Sequence, residues 1–310
     1  MSLSAAVKIE KTAFEGWPNC YRITNGEVEL IVTSDIGPRV MRYGFVGGQN
    51  FFWVRPDTKG KSGEKDWVTR GGHRLWVGPE DVRYTYPPDN GPVKVEIRGD
   101  VLIATQPMEK ETSIEKQIEI RMDARGAGVT LIHRLKYLGN LPVEFASWVP
   151  TMMAPGGTGV HPFPPRGTHP ENLQPTNPLV MWAFSDLSDD RWKFTKKYMT
   201  LRQVPGRAVP TKLGTFNART IGGYLLNGEV FIKQYIADPS RTYPEYNCSF
   251  ETFTNQDFLE LETLGPLTKV SGGQTVEHVE KWMLGKGTVR EISDAELDRV
   301  LLPLLSLMAP

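Results

Sequence analysis

The strongest constraint on the fold is a succession of short segments in which apolar and polar residues alternate, separated by two-residue reversals. Ile114, Lys116, Ile118 and Ile120 alternate with Glu115, Gln117, Glu119 and Arg121, the period of two that turns one face of a strand to a core and the other to solvent. Val28, Leu30 and Val32 are set against Glu27, Glu29 and Ile31 in the same way. Asn25-Gly26 and Asn227-Gly228 have the composition of tight hairpin turns, and Gly99-Asp100 and Gly139-Asn140 mark further reversals. Long strands joined by short turns give antiparallel sheet rather than strand-helix-strand units. The pattern predicts strands at 8–13, 20–24, 27–33, 39–46, 93–98, 101–106, 113–122, 128–137 and 142–149, and again at 179–184, 198–203, 221–226, 229–236, 248–253, 258–264 and 275–284.

Only the C-terminal end reads as a helix. Ser293-Asp-Ala-Glu296 is a capping box, and Leu297, Val300, Leu301 and Leu304 share a face. Pro303 predicts a stop or kink near Leu302. Residues 56–66, polar and glycine-containing, predict a mobile surface loop, and 152–178 is the least regular region. No linker or repeat divides the chain, so residues 1–310 read as a single all-β domain with a short C-terminal helix.

Lysine plus arginine and aspartate plus glutamate both total 36, so no net charge favours a polyanion and nucleic acid is an unfavoured partner. The apolar runs are too short to span a bilayer, and Met1 to Lys8 lacks the pattern of a signal peptide. The expectation is a cytoplasmic protein with no membrane partner; nothing in the sequence sets its oligomeric state. Cys20 and Cys248 read as buried thiols. His133, His161, His169 and His278 fall in no metal-ligand spacing, and no phosphate-binding loop is present, so neither metal nor cofactor is expected.

The chemistry is concentrated in Trp67-Val-Thr-Arg-Gly-Gly-His-Arg-Leu-Trp-Val-Gly-Pro-Glu80. His73 has the side chain whose ordinary pKa suits both giving and taking a proton. Arg70 could grip hydroxyls or an anion, or pair with Glu80 or Asp66. Trp76 and Trp148 offer flat faces to the carbon-hydrogen face of a sugar ring. In Leu259-Glu-Leu-Glu-Thr263, Glu262 and Glu260 share one strand face, where two like charges raise a pKa. Lys233, on the same face as Phe231, and Glu251 are further candidates for a concave binding face.

Gly71 to Trp76 and Glu260 to Pro266, with Asp35-Ile-Gly-Pro-Arg39, Met181 to Ser188 and Ser271 to Trp282, resemble an uncharacterised branch of the galactose mutarotase-like superfamily, which includes aldose 1-epimerases. The resemblance implies a β-supersandwich of large antiparallel sheets with an open sugar site. In that family a glutamate in a Leu-Glu-Thr context is the general base, a role that Leu261-Glu262-Thr263 would give to Glu262. The family's acid is a histidine on a mid-chain strand. The comparable strand here, Val143 to Val149, carries Trp148 and no histidine, which leaves His73 as the available acid. The expected function is aldose 1-epimerase-like interconversion of sugar anomers without a cofactor: Glu262 and His73 act on the sugar, and Arg70, Trp76, Glu80, Trp148, Lys233 and Glu251 hold it. The alternatives are a non-catalytic carbohydrate-binding module, or a polysaccharide lyase or hydrolase.

Overall fold

The alternating segments assemble into two antiparallel sheets in the structure, a computed structural model that describes residues 6–308. The first runs in spatial order Lys8–Phe14, Trp17–Thr24, Val28–Thr33, Arg39–Phe45, Gly72–Arg74, Val143–Met153, Leu259–Leu264, Phe250–Thr254, Thr211–Thr215 and Leu179–Met181. Trp76–Gly78 and Thr268–Val270 pair with the long 143–153 strand beyond the reach of its other partners. The second runs Trp192–Phe194, Tyr198–Arg202, Thr158–Pro162, Arg219–Leu226, Glu229–Ile236, Thr275–Lys286, Val129–Tyr137, Ile114–Met122, Val101–Thr105 and Lys94–Arg98. Inward side chains of both sheets form one hydrophobic cluster, with Leu30, Val40, Val149 and Leu261 from the first and Ile118, Leu131, Phe231 and Trp282 from the second. Burial of this kind contributes roughly 1.5–3 kcal/mol per large side chain.

Several strands escape the sequence pattern. Gly72–Arg74 and Trp76–Gly78 form inside the dense 67–80 segment, and Thr158–Pro162 inside the region that reads as irregular. These are three to five residues long, too short for alternation to register. Residues 56–66 are tied to the body rather than free: Trp17 Nε1 and Arg70 Nη1 both donate to the Lys61 carbonyl at 3.0 Å. The helix Asp294–Leu307 begins as predicted, with the Ser293 hydroxyl accepting from Glu296 N–H, but it continues through Pro303. Buried Leu305 and Met308, and a bond from Arg219 Nη2 to the Leu305 carbonyl at 3.1 Å, hold the last turn against the body. No helix of the described residues is long and apolar enough to cross a membrane. Cys20 and Cys248 are buried free thiols.

The entry to the 72–74 strand depends on Gly71. Its φ is +93°, and an added Cβ would lie 2.0 Å from the Trp53 carbonyl oxygen. Gly71→Ala is therefore expected to lower stability by about 2 kcal/mol or more. Urea denaturation checks this; a loss below about 0.5 kcal/mol would show that the backbone tolerates the side chain.

Candidate functional site

Strand parity decides which groups reach an open surface. Leu259 and Leu261 enter the core between the sheets, so Glu260, Glu262 and Leu264 take the opposite face of the first sheet. The same rule sends His73 inward and Arg74 outward. On the outward face lies a cleft of about 290 Å³, lined by Trp67, Arg74, Trp76, Tyr86, Trp148 and Met152 on one side and by Trp182, Phe184, Lys212, Phe253, Phe258 and Glu260 on the other, with Glu80 on its rim. Trp67, Trp76, Tyr86 and Trp148 pack edge to face or tilted, with centroids 5.1–5.5 Å apart. A larger hollow of about 460 Å³, lined by Val77, Tyr84, Thr112, Glu144 and Phe145, adjoins at Glu80 but has no cation in its lining. The smaller cleft combines aromatic faces, cations and carboxyls, and is the better candidate binding site.

Three carboxyls lie on or under this cleft, and they differ in access. Glu260 keeps 13% of its side chain exposed and accepts from Arg74 Nη2 at 3.4 Å. Burial, reinforced by the neighbouring charge of Glu262, raises its pKa to about 7. Glu262 is fully buried beneath, where its Oε2 accepts from Trp148 Nε1 at 2.7 Å and from Lys212 Nζ at 3.2 Å. Its Oε1 has no partner among the described residues. Glu251 is also fully buried, 2.6 Å from Lys212 Nζ. One ammonium cannot neutralise two carboxylates in so dry a place. Burial, with Glu245 and Glu262 close by, holds the Glu251 carboxyl well above the usual range. Burial also opposes the charge of Lys212, but Glu251 and Glu262 outweigh it and keep the ammonium well above its ordinary pKa.

The other side of the same strands carries a closed polar network in the core. Lys233 Nζ lies 2.7 Å from Glu280 Oε1 and donates to the carbonyls of Val149 at 2.8 Å and Leu261 at 3.3 Å, and to Thr151 Oγ1 at 3.0 Å. His133 Nδ1 donates to the His278 carbonyl at 2.9 Å, so its Nε2 is free to accept from His73 Nε2–H at 2.7 Å. His73 Nδ1 then accepts from the Thr151 hydroxyl at 2.8 Å. Thr263 donates to Glu280 and accepts from His278 Nε2–H, which leaves His278 Nδ1 to accept from Ser147 at 3.0 Å. Every ring nitrogen is satisfied with the imidazoles neutral, in keeping with burial, which drives His133 down to about 4 and His73 and His278 well below their usual value. His73, His133 and Glu280 have metal-ligand atoms within 4.8 Å of one another, but these hydrogen bonds occupy the imidazoles and the Lys233 ammonium occupies the carboxylate.

The residues singled out from the sequence thus separate. Trp76, Trp148 and Glu80 line the cleft, and Glu262 and Glu251 lie beneath it. His73 and Lys233 lie on the far side of the sheet, so the expected meeting of His73 and Glu262 in one pocket does not occur. Arg70 is fully buried and bonds Lys61 O and Glu64 rather than Glu80 or Asp66; it does not line the cleft. The groups that sequence reasoning missed are Arg74, Lys212, Trp67 and Trp182. Parity could have found Arg74, since neighbours of an inward residue point outward. Lys212 lies on a strand with no alternating signature.

No protein-family model and no curated protein matches the chain. Solved structures do. A galactose mutarotase-like protein from Lactobacillus casei ATCC 334 superposes with a TM-score of 0.57 at 10% identity, over 86% of this chain and 100% of that one. The chain has the galactose mutarotase-like fold. A candidate aldose 1-epimerase from Klebsiella pneumoniae subsp. pneumoniae MGH 78578 superposes with a TM-score of 0.62 at 12% identity, over 97% of this chain and 88% of that one. Another, from Escherichia coli K12, gives 0.53 at 11% identity over 90% and 99%. Identities this low speak for the fold alone, and the chemistry of this chain has to be argued from its own residues.

Proposed function

We propose that the cleft binds a saccharide and interconverts its anomers by general acid/base ring opening. The observation that carries this reading is Glu260: a carboxyl facing an aromatic cleft, with a pKa near neutrality, is matched to proton transfer at physiological pH. Protonated Glu260 donates to the ring oxygen as the bond from that oxygen to the anomeric carbon breaks. The free Oε1 of Glu262, uncovered as the Trp148 and Lys212 side chains shift, takes the proton of the anomeric hydroxyl, leaving an open-chain aldehyde. Rotation about the adjacent carbon-carbon bond and reversal of both transfers close the ring on the other face. Trp67, Trp76 and Trp148 stack on the sugar, while Arg74, Lys212 and Glu80 bind its oxygens. Glu251 holds the Lys212 ammonium against Glu262; His73, Lys233 and Arg70 hold the strands and touch no substrate.

One observation favours a binding-only reading: Glu262 is sealed under Trp148 and Lys212, with no exposed surface. Exchange NMR between the anomers of several aldoses separates the two. Ring opening predicts exchange faster than in buffer and proportional to protein concentration. Saturable binding with exchange at the buffer rate would replace it with the binding-only reading.

A further inference from the structure

Four arginines are buried in the described structure, and three of them place two nitrogens each on close acceptors and leave one unpaired. Arg39 bonds Asp89 and the Gly71 carbonyl, Arg70 bonds Glu64 and the Lys61 carbonyl, and Arg191 forks onto Asp189 and reaches the Val209 carbonyl. Arg74 differs. Its side chain is 2% exposed, yet its one polar contact is the 3.4 Å approach to Glu260, and both Nε and Nη1 lack partners among the described residues. A buried guanidinium without compensating acceptors is costly unless something else supplies them. Its plane is held by Trp76, whose ring centroid lies 3.6 Å from the guanidinium carbon, with Trp67 at 5.2 Å. The result is a preoriented, under-paired donor fork on the wall of the cleft.

We infer that the cleft is built for a saccharide bearing a carboxylate, a uronic acid unit, whose carboxylate docks on Arg74. This deepens the saccharide reading above and rests on it. A planar carboxylate matches the geometry of the guanidinium fork better than a hydroxyl does, and the charge-assisted bonds are the stronger kind. Glu260 in its protonated form adds no negative charge beside the ligand carboxylate. The surrounding groups are consistent: Lys212 adds a second cation, Glu251 retains its proton, and Glu262 and Glu80 are engaged by Trp148 and by Tyr86. Arg39 and Asp89, behind Arg74, form their own pair. Burial lowers the pKa of Arg74 only to about 10, so it stays charged throughout the accessible range.

The test compares glucuronate and galacturonate with glucose, galactose and glucose 6-phosphate by calorimetry or saturation-transfer NMR at pH 6 and pH 8.5. The uronates should bind at least about tenfold more tightly than the neutral sugars at pH 6. That preference should shrink at pH 8.5, where ionised Glu260 repels the ligand, and the shrinkage should vanish in Glu260→Gln. Arg74→Gln should bring the ratio of uronate to neutral affinity close to one; because the wild-type ratios are themselves decisive, a failure of that variant to fold does not rescue the proposal. Equal affinity for uronates and neutral sugars would overturn the carboxylate site and leave the saccharide cleft standing. Equal or tighter binding of glucose 6-phosphate would overturn the commitment to carboxylate. Absence of binding by every sugar would overturn both readings.

Discussion

Lys233→Met is expected to lower stability by about 3–5 kcal/mol, the cost of stranding one member of a buried ion pair. On the second sheet the lysine pairs with Glu280 of the adjacent strand at 2.7 Å, with neither side chain exposed, and it donates to the carbonyls of Val149 and Leu261 in the first sheet. The variant leaves the Glu280 charge and two buried carbonyls without their cation. The double variant Lys233→Met, Glu280→Leu removes both charges and should recover a large part of the loss. Denaturant titrations of the single and double variants check both points. A loss below about 1 kcal/mol would mean that the pair is hydrated or that Glu280 finds another partner.

Glu260→Gln should slow anomer exchange by roughly 10²–10⁴-fold, the usual contribution of a positioned acid or base, while keeping the cleft's shape. Its effect on stability should have the opposite sign. The native pKa of Glu260, about 7, lies above the unfolded value, so between those two values the native state holds more protons than the unfolded state. Stability contributed by this group is therefore complete at low pH and falls as pH rises toward 7. Removing the charge should make the glutamine variant as stable as the parent, or more so, above pH 7. Loss of activity with unchanged or improved stability is the signature of a group strained for function. A rate within about threefold of the parent would assign proton transfer elsewhere.

Much of the architecture is legible in the sequence because sheet chemistry is local. Alternation from Ile114 to Arg121 and the Asn227-Gly228 turn appear as an inward-outward strand and a hairpin with Asn227 and Gly228 both at positive φ. The cleft is less legible, since parity tells which neighbours oppose one another but not which side is core. Lys233 does share the face of Phe231, as alternation requires, yet that face is the inside of the sandwich. His73 and Arg74 likewise exchange the roles that their ordinary chemistry suggests: the histidine fills a closed network and the arginine faces the cleft. The prominence of Glu262 in its motif is matched by a central place under the site, while the proton affinity suited to chemistry falls to Glu260, two residues away. Burial and the charge of a neighbour decide this; the shared face of the two glutamates is visible in the sequence, but their burial is not.

The central claim is that Glu260 holds its proton near neutrality in the saccharide cleft. Carboxyl carbon NMR of protein labelled at glutamate, with Glu260→Gln used to assign the resonance, measures this directly. The account predicts a titration midpoint of about 7 for Glu260, moving down toward the ordinary carboxylate range in Glu262→Gln because one source of the shift is gone. A midpoint near the unperturbed glutamate value of about 4.3, unchanged by Glu262→Gln, would contradict it.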